Sequence, residues 1–457
     1  MELPIARFFA TSFLAEEPIS LRLGLLSNQA TENVESFMNK IALKQTRLLA
    51  EREIHALQLA KLKQLLCWAT FVPYWQVHLQ RINFTSFSSL QQISKLPITT
   101  RRDLTLIPLE KRSNMAKAKK SKAVIGTTSG STGHPLQFYR SKISKIRTKG
   151  IYQLIMEQAA CMGGLTWENS RAFNLGIQRQ QTLYPWNGFL WGTKLEETRE
   201  NRTEFYKILR SRRIQILYTN ASYLKRLYYW MDKDGEFFQF RCIVYIAQQL
   251  NKRERSELEK FFKCPTLSVY GAQECSVIGI ECSGEQGVFH TVPELGYLEI
   301  TDYGKRNLPP GKIGEVTYTY FENEISPFIR YQVGDRGKIE QRKQCACGGS
   351  SEVLFFEGKT AEIVDLPDGS GIIVKAISIA IDEALAGRIY QFQLIQEDHK
   401  TLRIKIVPKD NFSDEVGNAL VAKVTAMLHY SMNVVVEKVK VIPSEISEKT
   451  PLFIKFA

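Results

Sequence analysis

No apolar run in the 457-residue chain approaches the roughly 20 residues needed to cross a bilayer, so no membrane-spanning helix is expected. The first residues, Met-Glu-Leu-Pro-Ile-Ala-Arg, lack a basic segment followed by an apolar stretch and a small-residue cleavage site, so no secretory signal is read there. Cysteine is scarce: eight residues at irregular spacing fit reduced thiols in a cytoplasmic protein better than a disulfide framework. Glycine is missing between Gly24 and Gly126, and only Pro73, Pro97 and Pro108 interrupt that stretch. Without those breakers, residues 28 to about 80 read as long helices, with Leu57, Leu59, Leu62, Leu65, Leu66 and Trp68 near helical spacing. Acidic residues are nearly absent from 101–150, where 13 Lys or Arg face only Asp103 and Glu110.

What is present is a globular composition, with 44% hydrophobic and 24% charged residues, which excludes a disordered chain. A chain this long splits into two or three domains, because single cores stop growing near roughly 250–300 residues. The formal net charge of +14 points to a polyanionic partner, and its concentration in one window matters more than its total.

From Val124 the texture changes to short β-type runs, Ile214–Tyr218, Cys242–Ile246 and Thr266–Tyr270, separated by helical stretches such as Lys252–Phe262. Strands alternating with helices predict an α/β arrangement, a sheet flanked by helices. After Val288 the pattern is rich in strands and turns, with Tyr297–Ile300 and Gly314–Tyr320 joined through Asn307-Leu-Pro-Pro-Gly311, which predicts a β sub-barrel. The last hundred residues read as a small α+β unit: strands at Tyr390–Ile395, Leu402–Val407 and Val434–Val441 around a helix at about Ser413–Tyr430. The cut falls near Glu357-Gly358-Lys359, giving a large N-terminal domain, 1–357, and a C-terminal domain, 358–457.

Val124-Ile-Gly-Thr-Thr-Ser-Gly-Ser-Thr-Gly-His-Pro135 is a loop of glycines and hydroxyl side chains after a short apolar run. Gly130 and Gly133 permit close backbone approach, so successive N–H groups can form an anion nest to which Thr127, Thr128, Ser129, Ser131 and Thr132 add hydroxyl donors. No Gly-Lys-Ser/Thr follows, so this is not a Walker A loop.

Thr128-Ser-Gly-Ser-Thr-Gly-His-Pro135 resembles the signature loop of the acyl-adenylate-forming superfamily, most closely in the branch of phenylacetate-CoA ligases and CapK-type proteins. Further motifs follow in that family's order: Tyr270-Gly271-Ala-Gln-Glu274, Arg330-Tyr-Gln-Val-Gly-Asp335, Phe356-Glu-Gly-Lys359 and Glu448-Lys449. The flanks are similar to the same branch, Leu62 to Tyr74-Trp75 and Ser94-Lys-Leu-Pro-Ile-Thr-Thr100 on one side and Gln391-Phe-Gln-Leu-Ile-Gln396 on the other. The resemblance implies that Thr127–Gly133 hold the phosphates of ATP, Tyr270 and Gly271 lie against adenine, and Glu274 holds Mg²⁺. It also implies that Asp335 accepts from the ribose hydroxyls, that Gly358-Lys359 opens a hinge with Lys359 among the ATP-binding residues, and that Lys449 is a catalytic lysine on a mobile C-terminal domain. The implied reaction joins a small carboxylic acid to AMP and passes the acyl group to coenzyme A or to the phosphopantetheine of an acidic acyl carrier protein. Three departures stand out: Gln273 for the hydroxyl residue before Glu274, Lys359 for arginine, and Glu448 for the glycine before Lys449.

Cys282 and His290 form Cys-x7-His, and Cys345-Ala-Cys347-Gly-Gly349 supplies two more thiols. Three sulfurs and an imidazole match a closed, structural Zn²⁺ site, and the same branch carries a similar arrangement. Two other classes compete with the enzyme reading. A catalytically silent nucleotide-binding partner or sensor is suggested by Glu448 and Lys359. A nucleic-acid binder is suggested by residues 111–122, although no helix-turn-helix or RNA-recognition signature accompanies that run. The expected partners are ATP and a carboxylic acid, with neither nucleic acid nor membrane.

Overall fold

The computed structural model describes residues 50–128, 135–175, 182–184, 188–190, 192–193, 199–342, 345, 347, 352–359, 362–385, 387–443 and 450–456. The chain divides into two compact units, Met1–Gln158 with Val269–Glu357, and Ala159–Ser268 with Gly358–Ala457.

In the first unit the helix Glu51–Ala69 begins where the Glu53 carboxylate accepts from the Ala50 N–H at 2.8 Å. It ends at Thr70, and Pro73 opens the next helix, Pro73–Leu79, from a position where a missing N–H costs nothing. Leu62, Leu65, Leu66 and Ala69 make one apolar stripe, buried with Trp75, Leu79, Phe87, Leu90, Ile93, Phe321 and Ile329. The turn-rich half forms an antiparallel ladder, Gly296–Thr301 on Gly314–Tyr320 on Phe328–Gln341, followed by Glu352–Lys359, Glu285–Thr291 and Ser276–Cys282. Thr99–Thr100 adds in parallel to Phe328–Gln341, with Thr99 opposite Tyr331. This pairing carries the N-terminal segment to the motif at 330–335. The hairpin Val124–Thr127 with Gln137–Arg140 stands apart from that ladder.

In the second unit Ala172–Leu175, Ile216–Asn220 and Cys242–Ile246 run parallel, each composed almost wholly of buried residues. Helices Arg199–Ser211, Ala221–Asp234 and Lys252–Phe262 pack with them into a core of Phe173, Phe205, Leu217, Leu224, Phe240 and Phe262. Strands buried along their whole length are what a sheet covered on both faces shows, and here Asn174, Thr219 and Asn220 are buried with the apolar residues. Asn220 and Asn251 cap two of these helices through their side-chain oxygens, and Gly235 ends one in the left-handed region at φ +69°.

The last ninety residues build a mixed four-stranded sheet in the order Asn433–Lys438, Thr401–Pro408, Ile389–Gln396, Phe453–Lys455, with helices Val374–Ala384 and Asp414–Met427. The strand expected to run to Val441 stops at Lys438. Among the described residues no helix is long and apolar enough to cross a membrane.

Candidate functional site

Glu274 lies on the turn that joins Thr266–Ala272 to Ser276–Cys282, closed by the Cys275 N–H donating to the Ala272 carbonyl at 3.1 Å. Gly271 sits at a bulge in that hairpin, where a Cβ would come within 2.3 Å of the Ser276 carbonyl oxygen, so no other residue fits. The Glu274 side chain is 3% exposed. Its Oε1 accepts a hydrogen bond of 2.8 Å from the Tyr331 hydroxyl and faces the Arg101 guanidinium at 3.5 Å. Burial, with the Glu274 charge beside it, pushes the Tyr331 phenol well above its ordinary value, so Tyr331 remains a donor.

Tyr270 leads the same motif and reaches the other one. Its hydroxyl donates to Asp335 Oδ2 at 2.9 Å, and its ring packs against Phe356 and Phe289, with centroids 5.5 and 6.1 Å away. Burial first and the Asp335 carboxylate second raise the Tyr270 phenol well above the usual range. Asp335 follows Gly334, whose φ of +87° turns the strand there. Two hydrogen bonds, between residues 57 and 65 positions apart, thus join the two motifs.

Thr128 is buried and closes the neck of the loop. Its N–H donates to the Leu136 carbonyl and its hydroxyl accepts from the Leu136 N–H, both at 2.9 Å. Thr127 is exposed at the end of its strand, while Ser129, Gly130, Ser131, Thr132 and Gly133 lie outside the described residues. Arg140, on the returning strand, donates to the Gln273 carbonyl at 3.0 Å, which ties the hairpin to the turn carrying Glu274. Lys359 belongs to the other unit, where its ammonium is 3.8 Å from Glu362. Lys449 and Glu448 lie outside the described residues.

The four cysteine and histidine residues converge. The Sγ atoms of Cys282, Cys345 and Cys347 and a ring nitrogen of His290 all lie within 4.8 Å of one another. Cys282 ends one strand and His290 stands on the antiparallel neighbour, with Ile280 opposite His290. Cys345 and Cys347 reach back so that Nε2 of His290 is 3.3 and 3.0 Å from their sulfurs. Four ligands at about 2.3 Å for sulfur and about 2.0 Å for nitrogen around one tetrahedral centre require mutual spacings near 3.5–3.8 Å, so the donor set fits Zn²⁺ after small adjustment.

Three residues of this region make contacts that no sequence motif assigns to them, although Arg330 and Tyr331 stand inside the motif at 330–335. Arg101 and Tyr331 flank Glu274. Arg330, at φ +46°, is a structural tie: its buried guanidinium donates to the carbonyls of Leu96 and Ser94 at 2.8 and 3.2 Å and to Asn307 Oδ1 at 2.8 Å, and pairs with Glu299 at 3.0 Å. The parallel addition of Thr99–Thr100 explains why Arg101 arrives beside Tyr331, and nothing short of strand pairing would predict it.

Residues 366–455 match the model of the CapK C-terminal domain family. A phenylacetate-coenzyme A ligase of Thermus thermophilus is 21% identical over 391 residues, spanning 82% of this chain and 86% of that protein. Protein CapK of Staphylococcus aureus is 25% identical over 265 residues, 55% of each chain. Among solved structures, a 2-hydroxyisobutyryl-CoA ligase in its postadenylation state superposes with a TM-score of 0.70 at 14% identity, covering 89% of this chain and 90% of that one, so the fold is shared.

Proposed function

The chain belongs to the acyl-adenylate-forming superfamily, in the phenylacetate-CoA ligase and CapK-like branch, and we propose that it is an AMP-forming acid–thiol ligase. In the first half-reaction a carboxylate oxygen attacks the α-phosphorus of ATP; the bond to the bridging oxygen breaks and pyrophosphate leaves. In the second, a thiolate sulfur attacks the acyl carbon and AMP departs with the electron pair of the cleaved C–O bond, the thiol proton having gone to solvent or base. Coenzyme A is the acceptor that the relatives' names favour, and a carrier-protein phosphopantetheine is the alternative.

One observation supports this most: two separate motifs meet as Tyr270–Asp335 and Tyr331–Glu274, each through a single short hydrogen bond. In this reading Tyr270 holds Asp335 in place for the ribose hydroxyls while its ring offers a face for adenine. Thr128 closes the loop whose N–H and hydroxyl groups receive the phosphates. Glu274 offers a buried, hard oxygen suited to Mg²⁺, which would neutralise phosphate charge when bound. Arg101 and Tyr331 orient that carboxylate. Lys449 is assigned to the approach of the two anions, where a compact ammonium on a flexible stem serves as a point charge. This reading keeps the two domains expected from sequence, 1–357 and 358–457, as a proposal beside the two compact units of the fold. We assign the pivot of the proposed hinge to Gly358, at φ +129° with open space where a Cβ would stand.

Acid-dependent ATP–pyrophosphate exchange across aryl, fatty and amino acids tests the proposal. Asp335→Ala should abolish exchange, and Glu274→Gln should reduce it at least tenfold, as loss of a charge stabiliser does. Well-folded protein that binds ATP and gives no exchange with any acid would instead mark a silent nucleotide binder. We assign Zn²⁺ to Cys282, His290, Cys345 and Cys347 as a structural ion. Metal analysis should find about one zinc per chain, and chelation or Cys345→Ser should lower the melting temperature by several degrees without changing the acid preference.

A further inference from the structure

We infer that Ser222 and Gln248 are positioning residues for adenylate formation, clamping the peptide that follows Lys449 at the carboxyl ends of the parallel strands. Ser222 stands in the first turn after Ile216–Asn220, and Gln248 two residues beyond Cys242–Ile246, where Ala247 at φ +76° turns the chain outward. The Thr450 N–H donates to Ser222 Oγ at 3.0 Å, and the Thr450 carbonyl accepts from Gln248 Nε2 at 2.5 Å. The Ser222 hydroxyl itself donates to Gln248 Oε1, so one serine and one glutamine hold both polar groups of a single residue. Ser222 and Thr450 are 4% and 5% exposed, which makes each of these bonds costly to leave unmade.

The following residues are anchored from the opposite side. Gln393 donates to the Pro451 carbonyl at 2.9 Å, the Leu394 N–H donates to the Leu452 carbonyl at 2.8 Å, and Phe453–Lys455 pairs with Ile389–Gln396. The stretch therefore bridges the C-terminal sheet and the ends of the parallel strands, the edge where ligands of α/β sheets bind. Fixing this end of the lysine's backbone restricts where its ammonium can go, and a misplacement of about 1 Å costs up to about a hundredfold in rate. The role rests on the reading of Lys449 as the lysine that brings the carboxylate and the α-phosphate together. Thioester formation from a finished adenylate has no such approach to assist, so the clamp should serve one half-reaction and not the other.

The test compares wild type with Ser222→Ala, Gln248→Leu and the conservative Ser222→Thr. Hydrogen–deuterium exchange is followed over 450–456, ATP–pyrophosphate exchange is measured with phenylacetate, and thioester formation is measured from presynthesised phenylacetyl-adenylate and coenzyme A. Ser222→Ala and Gln248→Leu should each expose the Thr450 amide and lower kcat for pyrophosphate exchange about tenfold, with KM for ATP and the thioester rate unchanged. Ser222→Thr should restore both protection and rate. Unchanged protection of Thr450 overturns the clamp whatever happens to the rates. Lost protection with an unaltered kcat, or with both half-reactions slowed alike, overturns the positioning role. Failure of the underlying reading is separable: wild type inactive with every acid, or Lys449→Ala as active as wild type, removes the catalytic premise, while protection of Thr450 still decides whether the clamp exists.

Discussion

Two ion pairs of the first unit are sealed from water, whereas the pairs that tie the C-terminal part of the second unit to the rest of that unit are not. In the unit carrying Glu274, Lys61–Glu322 are 2% and 1% exposed and Arg330–Glu299 4% and 1%. In the other, the pairs joining residues 199–268 to 358–457 stay partly wet: Arg253–Asp382 at 23% and 10%, Lys409–Glu257 at 15% and 23%. Sealed pairs repay their desolvation only with further hydrogen bonds, which Arg330 makes to the Leu96 and Ser94 carbonyls and Asn307, and Lys61 to the Glu294 carbonyl. Partly wet pairs need less completion and are cheaper to break. Arg330 and Lys61 thus pin the first unit at two sealed points, and the second unit joins its C-terminal part through contacts that water can replace.

The largest effect should come from Arg330. Arg330→Ala strands Glu299 and three other acceptors, and should cost about 3–5 kcal/mol in urea unfolding. Lys61→Met alone should cost nearly as much, yet Lys61→Met with Glu322→Leu should regain most of the loss, because removing both buried charges removes the desolvation penalty as well. A double variant no better than the single would show that the pair is not sealed as described.

Asp382 supplies the smallest effect. Burial first, with Glu254 nearby, pushes its carboxyl up to about 6 despite the opposing charges of Arg253 and Lys225. A carboxyl raised in the folded state favours folding as it takes up its proton. Stability should therefore rise as pH falls through about 6 and level off below the ordinary value of 3.8. Asp382→Asn, which keeps a partner for Asn251, should flatten that part of the urea-midpoint profile between pH 7 and 4. An unchanged slope would place the titration elsewhere.

Much of the secondary structure was legible because it depends on local pattern. The strand Cys242–Ile246, the helix Lys252–Phe262 and the strand Gly314–Tyr320 lie where apolar runs and turn residues put them. The long helices read between 28 and about 80 correspond to Glu51–Ala69 and Pro73–Leu79, broken at Thr70–Val72 before Pro73, while residues 28–49 lie outside the described residues. Thr128 was read only as a phosphate donor, whereas its hydroxyl accepts from Leu136, a bond that needs the hairpin to close.

The sequence by itself determined which chemistry-bearing residues exist and in what order: the hydroxyl-rich loop, Tyr270 to Glu274, Arg330 to Asp335, and three thiols with one histidine. The first three are short runs, and the thiols and histidine are two local pairs, Cys282 with His290 and Cys345 with Cys347. Only the tertiary structure decided that Tyr331 serves Glu274 and Tyr270 serves Asp335, that Arg330 binds a carbonyl 234 positions away, and that Thr450 sits on Ser222 and Gln248. Those partners are set by strand register and by which loops meet at the ends of the strands. Register is the outcome of burying whole faces at once, so no local run of residues encodes it.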